Sequence, residues 1–244
     1  MQKIDIIILS NAQTPELRNL TIQTIETLLE SEDPNEIRFM IQVFESAETG
    51  TYNYPFCLTV FPPKPFNINR YMNMGIKKSN SPFVCLCNND LIFHRGWASR
   101  ILEAFKKNPD LVSASPFCEL NHKEQGIQPN TGIYIGYEIR KHVSGWCIFF
   151  KRSMVKRTGL FDERFRFYFA DSDYAKTLEK SQVLHALVSD ARVDHLESQF
   201  LQMKTQKEQL SHTVEDQYLF EFKWGSRSYF SYLNFKRKQF FRSI

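Results

Sequence analysis

No stretch of this 244-residue chain stays apolar over the ~20 residues a membrane-spanning helix needs. Nor does it begin as a secretion signal. Met1-Gln2-Lys3-Ile4-Asp5 runs straight into Ile6-Ile7-Ile8-Leu9, a run of strand length, so a cytoplasmic setting is expected, at most peripheral to an inner membrane face. The five cysteines are odd in number and scattered, at Cys57, Cys85, Cys87, Cys118 and Cys147. Three of them sit in apolar runs, where cysteine behaves as a small hydrophobe. Cys85 and Cys87 are too close for ordinary zinc spacing. Reduced thiols are expected, not a disulfide framework. There is no internal repeat and no low-complexity tract, and the length suits one sizeable domain or two small ones. The formal net charge of +4 permits an anionic ligand or surface without demanding nucleic acid.

What is present is an alternation of strand and helix patterns. Ile4–Leu9 reads as a buried strand closed by Ser10-Asn11. Thr14-Pro15 reads as an N-cap followed by the first helical residue, with Leu17, Leu20, Ile25, Leu28 and Leu29 at helical spacing behind it. Ile37–Phe44 is a second strand, which makes a β-α-β unit with parallel pairing. Further strands are expected at Cys57–Phe61, Phe83–Cys87, Leu111–Ser115, Trp146–Phe150 and within Leu184–Val193. Helices are expected at Ile68–Ser79 (with Met72, Gly75 and Ile76 toward a sheet), Trp97–Phe105, Met154–Thr158, Ser172–Leu178 and from Ser198 onward, with a loop over Asn121–Thr131. The alternation predicts an α/β architecture with a mostly parallel central sheet flanked by helices.

The strand Val84-Cys85-Leu86-Cys87 ends in Asn88-Asn89-Asp90. Ligands of open α/β sheets lie beyond the carboxyl ends of the strands, and an oxygen-rich cluster there suits a hard divalent cation that also holds a phosphate. The competing reading is a polar turn, which Asn and Asp favour through side-chain to backbone hydrogen bonds. Other pieces follow in order: Ser10 after the first strand, Glu45-Ser46 after the second, and Asn73 and Gly75 on the helix before Asn88. Then come Ser144-Gly145-Trp146, Gly159-Leu160-Phe161-Asp162-Glu163-Arg164-Phe165, Tyr168-Phe169-Ala170-Asp171-Ser172-Asp173-Tyr174, and His195.

In that order these pieces resemble the family-2 glycosyltransferases, which have the GT-A fold. The resemblance covers roughly residues 4–198. It is strongest over Val143–Tyr174, where the family pattern is a glycine before an apolar strand, a G-x-F-D-E-x-F turn and an acidic pair near a helix start. Next comes Asn88-Asn89-Asp90 with Gly96-Trp97, similar to the N-x-D … G-W stretch of rhamnosyl- and related transferases. The resemblance implies a GT-A domain over 1–200 and transfer of a sugar, with inversion, from a nucleoside-diphosphate donor to an acceptor hydroxyl. It implies a divalent metal, manganese or magnesium, at Asp90, which would stabilise the leaving diphosphate as a Lewis acid. His195 stands where some relatives place a further ligand; the rival reading is a capping or core imidazole. Asp171 matches the position of the catalytic base, which takes the proton of the attacking hydroxyl. Ser10, Glu45, Arg70, Asn73, Asn88 and Asn89 match donor-binding positions. Glu45 would accept the N3–H of uracil or thymine, so a uridine or thymidine diphosphate sugar is favoured. Gly145, Trp146 and Asp173 are expected at the acceptor, with Asp173 also able to orient its helix. For Ser10, Arg70 and Trp146 the rival readings are a polar strand end, a solvated charge and a core aromatic. The sequence departs from the pattern twice: Ala170 replaces an acid before the base, and Asn88 replaces the leading aspartate.

From Lys223 to Ile244 there is no acidic residue, and Lys223, Arg227, Lys236, Arg237, Lys238 and Arg242 alternate with seven aromatic residues. Residues 201–244 are expected to form a helical appendage. Three occupants suit it: an anionic membrane surface, the catalytic domain itself, or, less favoured, nucleic acid. The expected acceptor is a growing glycan, possible lipid linkage included, in surface polysaccharide or lipopolysaccharide assembly. The rivals are transfer to modified DNA bases and a non-catalytic GT-A module.

Overall fold

The computed structural model describes residues 1–46, 52–196 and 206–242. Its strands are β1 (Gln2–Ser10), β2 (Ile37–Glu45), β3 (Leu58–Val60), β4 (Phe83–Asn88), β5 (Leu91–Phe93), β6 (Leu111–Phe117), β7 (Ile133–Ile135), β8 (Cys147–Lys151) and β9 (Leu184–His195). The helices are α1 (Pro15–Glu30), α2 (Ile68–Lys78), α3 (Trp97–Lys107), α4 (Glu119–Lys123), α5 (Val155–Thr158), α6 (Ala170–Lys180), α7 (Gln206–Lys223) and α8 (Tyr229–Arg242). The strands form one sheet in the order β3-β2-β1-β4-β8-β6-β9-β5, with β7 also paired to β9.

The α/β expectation holds, but the sheet is mixed where a mostly parallel one was expected. β3, β2, β1 and β4 pair in parallel, as do β6 and β9. β8 lies antiparallel between β4 and β6, and β5 and β7 both run antiparallel to β9. Parallel neighbours need a crossover, usually a full helix. The connection from β6 to β8 carries only the short α4 and the edge strand β7, so the chain returns in the opposite sense. The expected loop over 121–131 accordingly begins inside α4.

β1 reads as a continuous apolar run because both faces of the sheet are covered. Ile4, Ile6 and Ile8 share a core with Ile25 and Leu28 of α1 and Trp97 and Ile101 of α3. Ile7 and Leu9 face the other way, onto Met72 and Ile76 of α2 and Leu178 near the end of α6. Thr14 caps α1 by accepting the Leu17 N–H at 3.4 Å, with Pro15 at the helix start. α2 lies so close to β1 that a Cβ on Gly75 would come within 2.6 Å of the Ile7 side chain. All five cysteines are free, and no helix among the described residues is long and apolar enough to cross a membrane. Because β1, β2 and β4 are parallel, their carboxyl ends at Ser10, Glu45 and Asn88 fall on one edge, beneath a cleft.

Candidate active site

The cleft encloses about 630 Å³ and brings Asn88, Asn89, Asp90, Gly145, Trp146, Asp171 and His195 to one wall-to-wall space. Asp90 stands two residues beyond the end of β4, just before β5, and Asp171 stands in the first turn of α6. The two carboxylates, 81 positions apart by numbering, therefore share one crevice.

Asp90 is almost fully buried, and neither carboxylate oxygen has a hydrogen-bond partner. His195 Nε2, also buried and without a hydrogen-bond partner, lies 3.3 Å from Asp90 Oδ1. A short antiparallel pairing makes the pair: Leu91 of β5 sits opposite His195 of β9, and the Leu196 N–H donates to the Asp90 carbonyl at 3.0 Å. The Trp146 ring stacks on the imidazole, with centroids 5.5 Å apart and planes 13° from parallel. A buried carboxylate without a hydrogen-bond donor is costly unless a cation or donor completes it. The donor set fits a small hard cation. Such ions take one or two protein ligands and draw the rest of their oxygens from substrate phosphates and water. No cluster of three or more His, Cys, Asp or Glu side chains capable of holding a metal occurs among the described residues; Asp90 and His195 are the side chains at this place that could contact a cation.

Asp171 is half-buried, and its Oδ1 accepts its neighbour Ser172's backbone N–H at 2.7 Å. Gly145 makes room for it: a Cβ at position 145 would lie 2.9 Å from Asp171 Cβ. Just ahead of α6, Phe169 takes a left-handed φ of 56°, uncommon outside glycine, and its carbonyl accepts the Asp173 N–H at 2.8 Å. Phe167, Tyr168 and Phe169 line the cleft on this side.

Several expected ligand residues stand elsewhere. Ser10 and Glu45 do not line the cleft; they form a buried network beside it. Glu45 accepts from Ser10 Oγ at 2.7 Å, Tyr54 Oη at 2.6 Å and the Ala12 and Ser46 backbone N–H groups. Burial, then that carboxylate, push the Tyr54 phenol well above its ordinary range. Asn89 lines the cleft while its amide donates into this network, to Thr21 at 2.8 Å and Ser10 at 3.3 Å. Asn73 is buried and clamps the 159–165 turn: it donates to the Phe161 carbonyl at 2.8 Å and accepts the Phe161 N–H at 2.9 Å. Arg70 pairs with Glu163 at 3.3 Å on the same turn. Asp173 is buried and does not line the cleft. It binds Lys223 Nζ at 2.8 Å and Trp224 Nε1 at 2.9 Å, and burial raises its carboxyl pKa even with that ammonium in contact. For Asp162, burial works upward, but hydrogen bonds from Arg164 and Lys223 outweigh it and hold the carboxyl well below the usual range.

Other cleft residues are not expected as ligands from the sequence, where Asn11 reads only as the close of the first strand. Asn69, Asn11 and Arg140 line the cleft, and the side-chain oxygens of Asn69 and Asn11 are buried without partners. Asn69 Nδ2 donates to the Asp162 carbonyl at 2.9 Å, which fixes the amide and turns its oxygen away from that turn. Asn67, the α2 N-cap, gave a capping signal, since Asn is among the favoured N-caps. Asn69 and Arg140 gave none.

No protein-family model matches the sequence, and no curated protein matches it. Solved structures do match by shape. The chain is similar to S. aureus TarS 1–349 at 11% identity and a TM-score of 0.58, over 78% of this chain and 58% of that one. It is similar to GalNAc-T7, solved with UDP, GalNAc and Mn2+, at 8% identity and a TM-score of 0.59, over 79% of this chain and 43% of that one. The chain thus spans less than two thirds of the length of either. At such low identity the likeness establishes architecture: the chain has the GT-A fold that these glycosyltransferases share.

Proposed function

We propose that this chain is a metal-dependent, inverting glycosyltransferase that moves a hexosyl or deoxyhexosyl group from a nucleoside-diphosphate donor to a glycan hydroxyl. The observation that carries the reading is the buried Asp90 carboxylate, without a hydrogen-bond partner and 3.3 Å from His195 Nε2, in the same cleft as Asp171. Inversion requires attack on the face opposite the departing diphosphate, so a cation-holding carboxylate and a basic carboxylate belong at separate places in one crevice. A bound divalent cation would supply Lewis-acid stabilisation of the diphosphate, held by Asp90 and His195. Asp171 would accept the proton of the attacking hydroxyl, within the space that Gly145 leaves open. Trp146, fixed by its stack on His195, offers an aromatic face to a sugar ring.

A uridine or thymidine diphosphate sugar is the donor we assign, with Mn2+ or Mg2+. The GalNAc-T7 structure, which holds UDP and Mn2+, supports that choice of chemistry. The acceptor we assign is a growing surface glycan, lipid-linked and met at an inner membrane face. On α8, Tyr229, Phe230 and Leu233 are exposed by 55%, 77% and 42%, a face suited to anionic lipid.

The test is a thermal-shift panel of nucleoside diphosphates and their sugars, with and without Mn2+, followed by transfer assays. Ligands that bind only the folded state raise the melting temperature by mass action. A metal-dependent shift with a uridine or thymidine diphosphate is expected. Asp171→Asn should keep that shift and lose transfer. A chain that shifts with no nucleotide in any metal has no donor site, and the reading fails. Retained binding with no transfer by the unaltered protein would leave a non-catalytic module.

A further inference from the structure

The segment that carries Asp171 is held in place from outside the motif block. Phe167 and Tyr168 contribute no strand or helix hydrogen bonds of their own, yet both backbone N–H groups donate to Asp216 Oδ2 of α7, at 3.3 and 2.9 Å. Asp216 is a buried aspartate whose charge is met by those amides. One turn further along α7, the Phe220 ring packs on Phe169 with centroids 5.3 Å apart. At the end of α7, Lys223 bridges Asp162 at 3.0 Å and Asp173 at 2.8 Å, and Trp224 donates to Asp173. The contacts fall on both sides of Asp171, at 167–169 before it and at 173 after it. In between, the chain passes through the left-handed Phe169 and enters α6 with no side-chain cap.

We infer that α7 belongs to the catalytic unit, and that Asp216 and Lys223 are positioning residues that set where Asp171 stands. This rests on the sugar-transfer reading for its catalytic consequence. Residues 206–224 then act as the outer brace of the acceptor wall and not as a separate appendage. The amides of 167 and 168 are half-buried and both take their acceptor from Asp216, so removing that carboxylate loosens the tie that holds this segment to α7. Displacing a reacting group by about 1 Å costs on the order of a hundredfold in rate.

The test compares Asp216→Ala and Asp216→Asn in the full chain. Three quantities are measured: kcat and KM for transfer, the melting shift given by UDP with Mn2+, and amide hydrogen exchange by segment. Asp216→Ala should lower kcat by about 10- to 100-fold while the UDP shift stays as in the parent. Exchange over 167–171 should quicken by on the order of tenfold, with β1 and β4 unchanged. Asp216→Asn keeps one accepting oxygen and should recover most of the rate. Lys223→Met, at the other end of the brace, should show the same split of kcat from UDP binding and serves if Asp216→Ala does not fold. Unchanged exchange over 167–171, or quickened exchange with an unchanged kcat, overturns the inference. So does a loss of UDP binding in step with kcat, which marks a merely structural role. Should the parent chain transfer no sugar at all, the proposed function fails, and the exchange data alone decide whether α7 braces this segment.

Discussion

Gly145 and Asp171 share one volume: a methyl group on the glycine would stand 2.9 Å from the aspartate's Cβ, inside the closest approach two carbons tolerate. The atom in the way is a Cβ fixed to the α6 backbone, so it cannot swing clear as the tip of a long side chain can. Gly145→Ala must therefore push α6 and the 144–146 segment apart. We expect a loss of about 1–3 kcal/mol in stability from overpacking, read as a shift in the urea midpoint. Transfer should fall by about tenfold or more because the carboxylate is displaced. UDP binding with Mn2+ should persist, since Asp90 stands in the turn between β4 and β5 and His195 on β9, neither of them on α6 or the 144–146 segment. An alanine variant with parental kcat would show that Asp171 does not need its present place.

Asp90 presents a trade between stability and binding. In the absence of a ligand its buried oxygens have no hydrogen-bond partners. Replacing the carboxylate by an amide removes a buried charge at nearly constant shape, so Asp90→Asn should melt higher than the parent when both are free of ligand. The gain is expected to be about 1 kcal/mol, because the amide is itself a buried polar group and only the extra desolvation cost of the charge is relieved. The same variant should lose the Mn2+-dependent part of the UDP melting shift. A variant that melts lower than the parent and still responds to Mn2+ would remove Asp90 from the site.

Local signals made much of this legible in the sequence, and long-range pairing hid the rest. Thr14-Pro15 announced α1 because capping and a fixed proline φ act within one turn. The end of β4 at Asn88-Asn89-Asp90 was visible as a break in an apolar run, and Gly145 as a motif position. His195 beside Asp90 depends on β5, a three-residue strand whose partner lies far along the chain. No window of local sequence carries that pairing, and only the order of motifs that the family resemblance supplies points to His195. Arg70 and Asn73 matched a pattern of ligand contacts, yet their nearest partners are the 159–165 turn, since the two segments meet only once the sheet is formed. Likewise nothing within α7 announces that Lys223 will find Asp173. The antiparallel insertion of β8 followed from a connection without a crossover helix, which periodicity alone does not reveal.

Asn73 separates a clamp from a ligand. Its side chain is buried and satisfies both the N–H and the carbonyl of Phe161, and it also reaches Glu163 Oε1 at 3.2 Å. Asn73→Ala should leave Phe161 polar groups unmet and cost about 2–3 kcal/mol. Denaturant midpoints with and without UDP and Mn2+ distinguish the roles. A clamp gives a lower midpoint with the ligand-induced increment unchanged. A donor ligand gives a reduced increment at nearly parental stability, which would restore Asn73 to the nucleotide site.

Two buried histidines set the acid side of the stability profile. His185 Nε2 donates to the His142 carbonyl at 2.9 Å, and its Nδ1 accepts from Ser113 Oγ at 2.7 Å. His122 Nδ1 accepts the Cys118 N–H at 2.8 Å. Burial pushes both imidazoles down to about 4 from an ordinary 6.5. Each stays neutral in the folded chain over a range where the unfolded chain takes up a proton. Their contribution is therefore complete above about pH 6.5 and is lost as the pH falls toward 4, with a slope of at most about 1.4 kcal/mol per pH unit for each group. Asp173 and Asp216, with carboxyls raised by burial, work in the opposite sense, but from the lower carboxylate range. Urea midpoints measured from about pH 7.5 down to about pH 5.5 should thus fall mainly through the histidines. His185→Asn should lower stability at neutral pH and flatten that descent by one proton's share. A descent of unchanged slope in the variant would show that His185 is not neutral and buried in the folded chain.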